Sequence, residues 1–205
     1  MLPGSKVTGP VLWKNNSLID LKICCAGSAR DINAQHLIVG DTYDKQGRYH
    51  AFVWDAVNGP HLLTVPGEEY SSPLALDSRG GILLKATPGG LFLYSGGRLV
   101  AVDLPKGTPR AMNKDGIVVG SFGKNPDAQR AFVWDEAHGM QDLNRLIPAT
   151  DWKLEVASSI NDRGEIVGWG DHRGVENAGF LLRPFGNHDQ SGKPEPGPPI
   201  GLRSR

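Results

Sequence analysis

Two stretches of the chain carry nearly the same apolar pattern, Ala51-Phe52-Val53-Trp54-Asp55 and Ala131-Phe132-Val133-Trp134-Asp135, and both are apolar on each alternating side chain. A strand with one wet face alternates apolar and polar residues; this one does not, which predicts strands covered on both faces by neighbouring sheets. Weaker copies stand at Leu91-Phe92-Leu93-Tyr94, at Gly179-Phe180-Leu181-Leu182 and at Pro10-Val11-Leu12-Trp13. A second landmark runs beside the first: Ile32-Asn33, Leu76-Asp77, Met112-Asn113 and Ile160-Asn161, each followed by a second apolar run ending at Gly40, Leu84, Gly120 and Gly168. From Asn33 to Asp77, Asn113 and Asn161 the intervals are 44, 36 and 48 residues, the length of a four-strand unit in a repeat array.

The units can be read strand by strand. The first has strands at 29–33, 37–41, 50–55 and 61–65; the second at 74–77, 82–86, 91–94 and 99–104; the third at 111–113, 117–121, 130–135 and 140–143. The fourth supplies three, at 157–161, 165–169 and 179–182, while 9–13 and 17–21 read as strands three and four of a unit without its first half. The expected fold is therefore all-β, a propeller-like array of about four four-stranded units, with the last unit completed by the N-terminal strand so that no sheet edge stays open. One β-repeat domain over 7–186 and a flexible Pro/Gly-rich tail over 187–205 follow from the composition of the two stretches.

The repeated residues have local reasons. In Asn113-Lys114-Asp115-Gly116, Asn161-Asp162-Arg163-Gly164 and Asp77-Ser78-Arg79-Gly80 a short polar side chain opens a turn and bonds its backbone, and glycine closes it at positive φ. Asn33-Ala34-Gln35-His36 ends on histidine, so either His36 takes φ > 0 or its turn differs. The rings of Phe52, Trp54, Phe92, Tyr94, Phe132, Trp134 and Phe180 are expected between layers, where an aromatic side chain buries about 150 to 250 Å².

Composition narrows the classes. The 205 residues include 27 Gly and 15 Pro with no net charge, so no basic field exists for nucleic acid, and no apolar run reaches the ~20 residues of a spanning helix. Adjacent Cys24 and Cys25 are expected as free thiols, since neighbours close only a strained ring and no further ligands stand at a zinc spacing. His-Glu-x-x-His, Gly-x-Ser-x-Gly and Gly-x-x-x-x-Gly-Lys are absent, and no catalytic residue, cofactor or metal is assigned. Asp41 to Gly47 lacks the spacing of a calcium loop.

The loops between second and third strands vary most. Asp41, Tyr43 and Asp44 in the first unit, Phe122 in the third, and Trp169, Asp171 and His172 in the fourth are the candidate ligand-binding residues, because rings stack on sugars or peptides and carboxylates bond hydroxyls. Two function classes follow: a non-enzymatic scaffold that binds a carbohydrate or protein partner through these loops, or a polysaccharide hydrolase or lyase using Asp31, Asp77 and Glu155 as axial carboxylates.

The pattern Ala-x-x-Ile-Asn-x-x-Gly-x-Ile/Val-Val-Gly, then His50-Ala51-Phe52-Val53-Trp54-Asp55, resembles the bacterial HAF repeat over roughly residues 9–186. The triplet becomes Arg130-Ala131-Phe132 in the third unit, Gly90-Leu91-Phe92 in the second and Ala178-Gly179-Phe180 in the last, and Asp142 to Pro148 with Trp152, Leu154 and Ala157 resembles a terminal repeat. The resemblance implies a propeller, an exported or cell-surface setting without a signal peptide in this chain, and no shared reaction.

Overall fold

The structure is a computed structural model and describes residues 9–23, 26–125, 128–184 and 202–204; for the last three only the backbone is described. It is all-β, built of five small antiparallel sheets, with no α-helix among the described residues. Contacts divide the chain into two compact units, Met1–Val102 and Asp103–Arg205.

In the first unit, β1 (Val11–Lys14) and β2 (Ser17–Asp20) form a hairpin. Two four-stranded meanders follow: β3 (Gly27–Ile32), β4 (Ile38–Tyr43), β5 (Tyr49–Asp55) and β6 (Gly59–Leu63), then β7 (Tyr70–Leu76), β8 (Ile82–Thr87), β9 (Gly90–Ser95) and β10 (Arg98–Val102). The alternation of β5 sorts its side chains onto two apolar layers. Ala51 and Val53 join Val39, Ile82, Leu84, Ala86, Phe92 and Tyr94 between the two meanders. Phe52 and Trp54 join Ile38, Leu21 and Ile23 with Leu12 and Ile19 of the hairpin on the opposite side. The strand is dry on both faces, as its sequence requires.

The second unit repeats the plan with β11 (Gly107–Met112), β12 (Val118–Phe122), β13 (Arg130–Asp135) and β14 (Gly139–Asp142), then β15 (Trp152–Ile160), β16 (Ile166–His172), β17 (Val175–Pro184) and β18 (Leu202–Ser204). Val119, Ala131 and Val133 of the first of these sheets pack on Leu154, Ala157, Ile166, Phe180 and Leu182 of the second. A 3-10 turn, Leu143–Arg145, follows β14 and drives Leu143 and Ile147 into the same layer. Its Asn144 side chain binds Leu154 as a strand would, donating to the carbonyl at 2.9 Å and accepting from the amide at 2.7 Å.

Two couplings recur inside the sheets and explain the landmark residues. Gly40 pairs across β4 and β5 with Phe52, Gly120 with Phe132 and Gly168 with Phe180. A Cβ at any of the three glycines would collide with the phenylalanine ring and with the carbonyl of Ser28, Thr108 or Val156 on the strand to its other side. The ring lies on bare backbone, and this is why the second apolar run ends in glycine. Facing each run, the first strand of the sheet carries a one-residue bulge, at Arg30, Leu74, Arg110 and Ser158.

The second coupling joins one sheet to the next. Each landmark side chain accepts two backbone N–H bonds within its own turn: Asn33 from Gln35 and Leu37, Asp77 from Arg79 and Gly81, Asn113 from Asp115 and Ile117, Asn161 from Arg163 and Glu165. The amide of Asn33 then donates to the carbonyl of Asp77 at 3.1 Å, and that of Asn113 to the carbonyl of Asn161 at 3.3 Å. Asn161 spends its amide on Glu165 of its own turn instead. His36 takes φ +61° and closes the same turn that Gly116 closes at φ +74°, with the same return bond to its asparagine.

The structure corrects one expectation. The fourth position of the last sheet is held by Leu202–Ser204, paired to β17, and not by an N-terminal strand; among the described residues β1 and β2 pair only with each other. Leu202–Ser204 belong to the stretch expected as a tail and pair with β17. Phe92 and Tyr94 pack half-buried between the two meanders, where Leu84 stands at the position that glycine holds in the other sheets. Cys24 and Cys25, and the rest of the tail, lie outside the described residues.

Candidate functional site

The candidate residues of the first unit separate into two environments. Asp41 is not in a loop but in β4, and it is 1% exposed. Its Oδ2 accepts from the Arg30 guanidinium at the bulge and from Ser72 of the next sheet at 3.3 Å, while Oδ1 has no partner. Arg30 also donates to the Tyr49 hydroxyl at 3.0 Å. The hydrogen bond to Asp41 raises the Arg30 pKa further, and burial, with Asp41 adding to it, pushes the Tyr49 phenol up. The cluster ties the polar end of the first meander to the second and lines neither of the clefts described below.

Tyr43, two residues beyond Asp41 on the same face at the end of β4, and Asp44 line a shallow apolar cleft of about 300 Å³ that includes Ile23, Phe52 and Leu62. Tyr43 is half-exposed and meets Tyr49 edge-on at 5.0 Å. Asp44 opens the β4–β5 turn: its Oδ1 accepts from the amides of Gln46 and Arg48 at 2.8 Å, and its Oδ2 from the Arg48 guanidinium at 2.7 Å and the His50 ring at 3.1 Å. Burial alone would raise its pKa, but the Arg48 and His50 hydrogen bonds outweigh it and hold the carboxyl well below the usual range. Both oxygens are therefore spent on the turn. Among the described residues no three His, Cys, Asp or Glu are gathered to hold a metal ion.

In the second unit Trp169, Asp171 and His172 also lie in a strand, β16, because this hairpin keeps its ladder as far as His172. Trp169 and Asp171 line one cleft of about 340 Å³ with Gln129, Lys153, Glu155, Glu176 and Asn177. The floor is a half-buried indole; the walls alternate carboxylates, two carboxamides and a lysine. Lys153 bonds Glu155 at 2.7 Å, Asp171 accepts from the Gly174 amide at 2.9 Å, and Gln129 donates to Ser121 at 3.0 Å, so the walls are held in place. His172 stays out of the cleft and stacks on Trp152 at 4.4 Å, 6° from parallel, while Trp152 meets Phe180 edge-on. Phe122 ends β12, half-buried, and lines neither cleft.

The sequence therefore names two residues of the second-unit cleft, Trp169 and Asp171, and misses Gln129, Lys153, Glu176 and Asn177 as ligand residues. The signal for Lys153 is the β15–β16 register, which sets it opposite Asp171; it becomes readable only once β15 is known to begin at Trp152. Comparison with protein-family models, with curated proteins and with solved structures finds no match for this chain.

Proposed function

We propose that this chain is a non-enzymatic binding scaffold of HAF-repeat type, exported or displayed at a cell surface, whose sheets are blades of a propeller-like array and whose second-unit cleft recognises a carbohydrate. The observation that carries the reading is the cleft itself: one indole face beside Asp171, Glu155, Glu176, Gln129, Asn177 and Lys153. An indole offers a flat apolar surface to the C–H face of a pyranose, and fixed carboxylates and amides bond the hydroxyls at its edge.

The acids that a hydrolase would need favour the scaffold. Asp77 Oδ1 accepts two turn amides at 2.7 Å, Asp31 accepts the amides of Ile32 at 2.8 Å and Leu76 at 3.1 Å, and Glu155 is paired to Lys153. A general acid must exchange a proton with the substrate, and these carboxylates are engaged in holding backbone and lysine.

A glycan array probed with the wild-type chain and with Trp169→Ala tests the reading. Binding to a restricted set of oligosaccharides, weakened roughly tenfold or more by Trp169→Ala as expected for losing one stacked ring, supports it. Absence of binding across the array, or equal binding by the variant, refutes it.

A further inference from the structure

The repeat has a polarity that the ends of the array leave unmet. In β4 and β5, Val39 pairs with Val53, and in β12 and β13, Val119 pairs with Val133; each pair is covered by the sheet that follows it within the same unit. The same two positions of the last sheet are Val167 and Leu181, again a cross-strand pair. Here Val167 is 43% exposed. At the beginning of the chain the opposite face is open. Phe52 and Trp54 of β5 point back to the hairpin that precedes them, and the corresponding residues of β1, by the alignment of Pro10 to Lys14 on Ala51 to Asp55, are Val11 and Trp13. Val11 is 38%, Trp13 69% and its cross-strand partner Leu18 47% exposed.

We infer that the Val11, Trp13 and Leu18 face of the hairpin docks on the Val167 and Leu181 face of the last sheet of a second copy of this chain, head to tail. The occupant follows from the interfaces already inside each unit, where a face of the one kind meets a face of the other. A contact of unlike faces is heterologous, so it extends into a chain of copies or closes into a ring of them. Val167 stands two residues before Trp169 on the same face of β16, so the contact borders the proposed carbohydrate cleft, although neither Val167 nor Leu181 lines it.

Light scattering and sedimentation equilibrium between about 10 and 300 µM test the contact, a range suited to weak self-association. The wild-type chain is expected to assemble beyond the monomer with concentration. Trp13→Glu and Val167→Glu, each checked by circular dichroism for an intact fold, are expected to remain monomeric alone. Mixed in equal amounts they are expected to form a dimer, because the mixture still holds one unaltered head and one unaltered tail; Leu18→Glu serves as a second head variant and behaves as Trp13→Glu. A wild-type chain that stays monomeric throughout, variants that assemble as the wild type does, or a mixture that stays monomeric would each overturn the inference. Glycan binding measured on monomeric Trp13→Glu, whose substitution lies outside the cleft lining, separates a failure of this contact from a failure of the carbohydrate reading.

Discussion

The two meanders of the first unit have the same topology and solve the same packing problem with different residues. In β3–β6 the second strand gives up its side chain at Gly40, and Phe52 lies over the gap, wholly buried. In β7–β10 the equivalent position is Leu84, itself buried, and the facing Phe92 is pushed out to half-burial. The layer between sheets is filled in both cases; what moves is the strand that supplies the volume. A repeat can thus lose its most recognisable residues and keep its fold, because the fold constrains the sum of two facing side chains rather than either alone.

That contrast is tested most strongly by truncating the two rings. Phe52→Ala leaves bare backbone opposite a cavity with no aliphatic neighbour at position 40 to relax into it, and is expected to cost about 3 to 5 kcal/mol in urea unfolding. Phe92→Ala removes a ring already half in water beside Leu84, and is expected to cost less than half as much. Equal losses at the two positions would mean that Leu84 does not stand in for the glycine and ring pair.

The turns offer a second contrast, smaller in energy. Asn33 and Asp77 bind their own turns alike, each accepting two amides, but only an asparagine has an N–H to give to the next sheet. Asn33→Asp keeps the turn and deletes the donor to the Asp77 carbonyl, with an expected loss of about 1 kcal/mol. Asn161→Asp deletes a bond only to Glu165 in its own exposed turn, and it also sets two carboxylates together. Its cost should therefore appear at neutral pH and shrink as the acids are protonated. The Asn33→Asp cost contains the lost sheet-to-sheet bond and should persist in part at low pH. Melting both variants at two pH values separates the cases.

Much of this was open to sequence reasoning, and the reason is periodicity. The Ala-Phe-Val-Trp strands, the landmark turns and the glycines repeat often enough that local pattern and turn chemistry agree, and the strands they predict fall within a few residues of those observed. Where a bulge breaks the alternation the reading shortens: β15 starts at Trp152 and not at Ala157, because the register shifts at Glu155 and again at Ser158. With the beginning of β15 went Lys153, and with Lys153 one wall of the cleft. The bond from Asn33 to Asp77 was not legible either, since two turns 44 residues apart become neighbours only when the sheets stack. Leu202 has only Ile200 for apolar company among glycines, prolines and charges, too short a pattern to announce a strand.

The smallest effect concerns the one landmark turn that does not close on glycine. Gly80, Gly116 and Gly164 close theirs at φ between +74° and +91°, and His36 adopts +61° with the same return hydrogen bond to the residue three before it. A side chain with a Cβ carries strain there that glycine does not, while glycine costs more backbone entropy in the unfolded chain. The strain is of order 1 kcal/mol or somewhat more and the entropy term somewhat less. His36→Gly should then stabilise the chain by a few tenths of a kcal/mol, to ~1 at most. The reverse exchange, Gly116→His, should destabilise by a similar amount, because the turn it enters is the same. If His36→Gly instead destabilises, then the imidazole contributes something at this turn beyond occupying it, and the first turn differs from its three counterparts in more than its last residue.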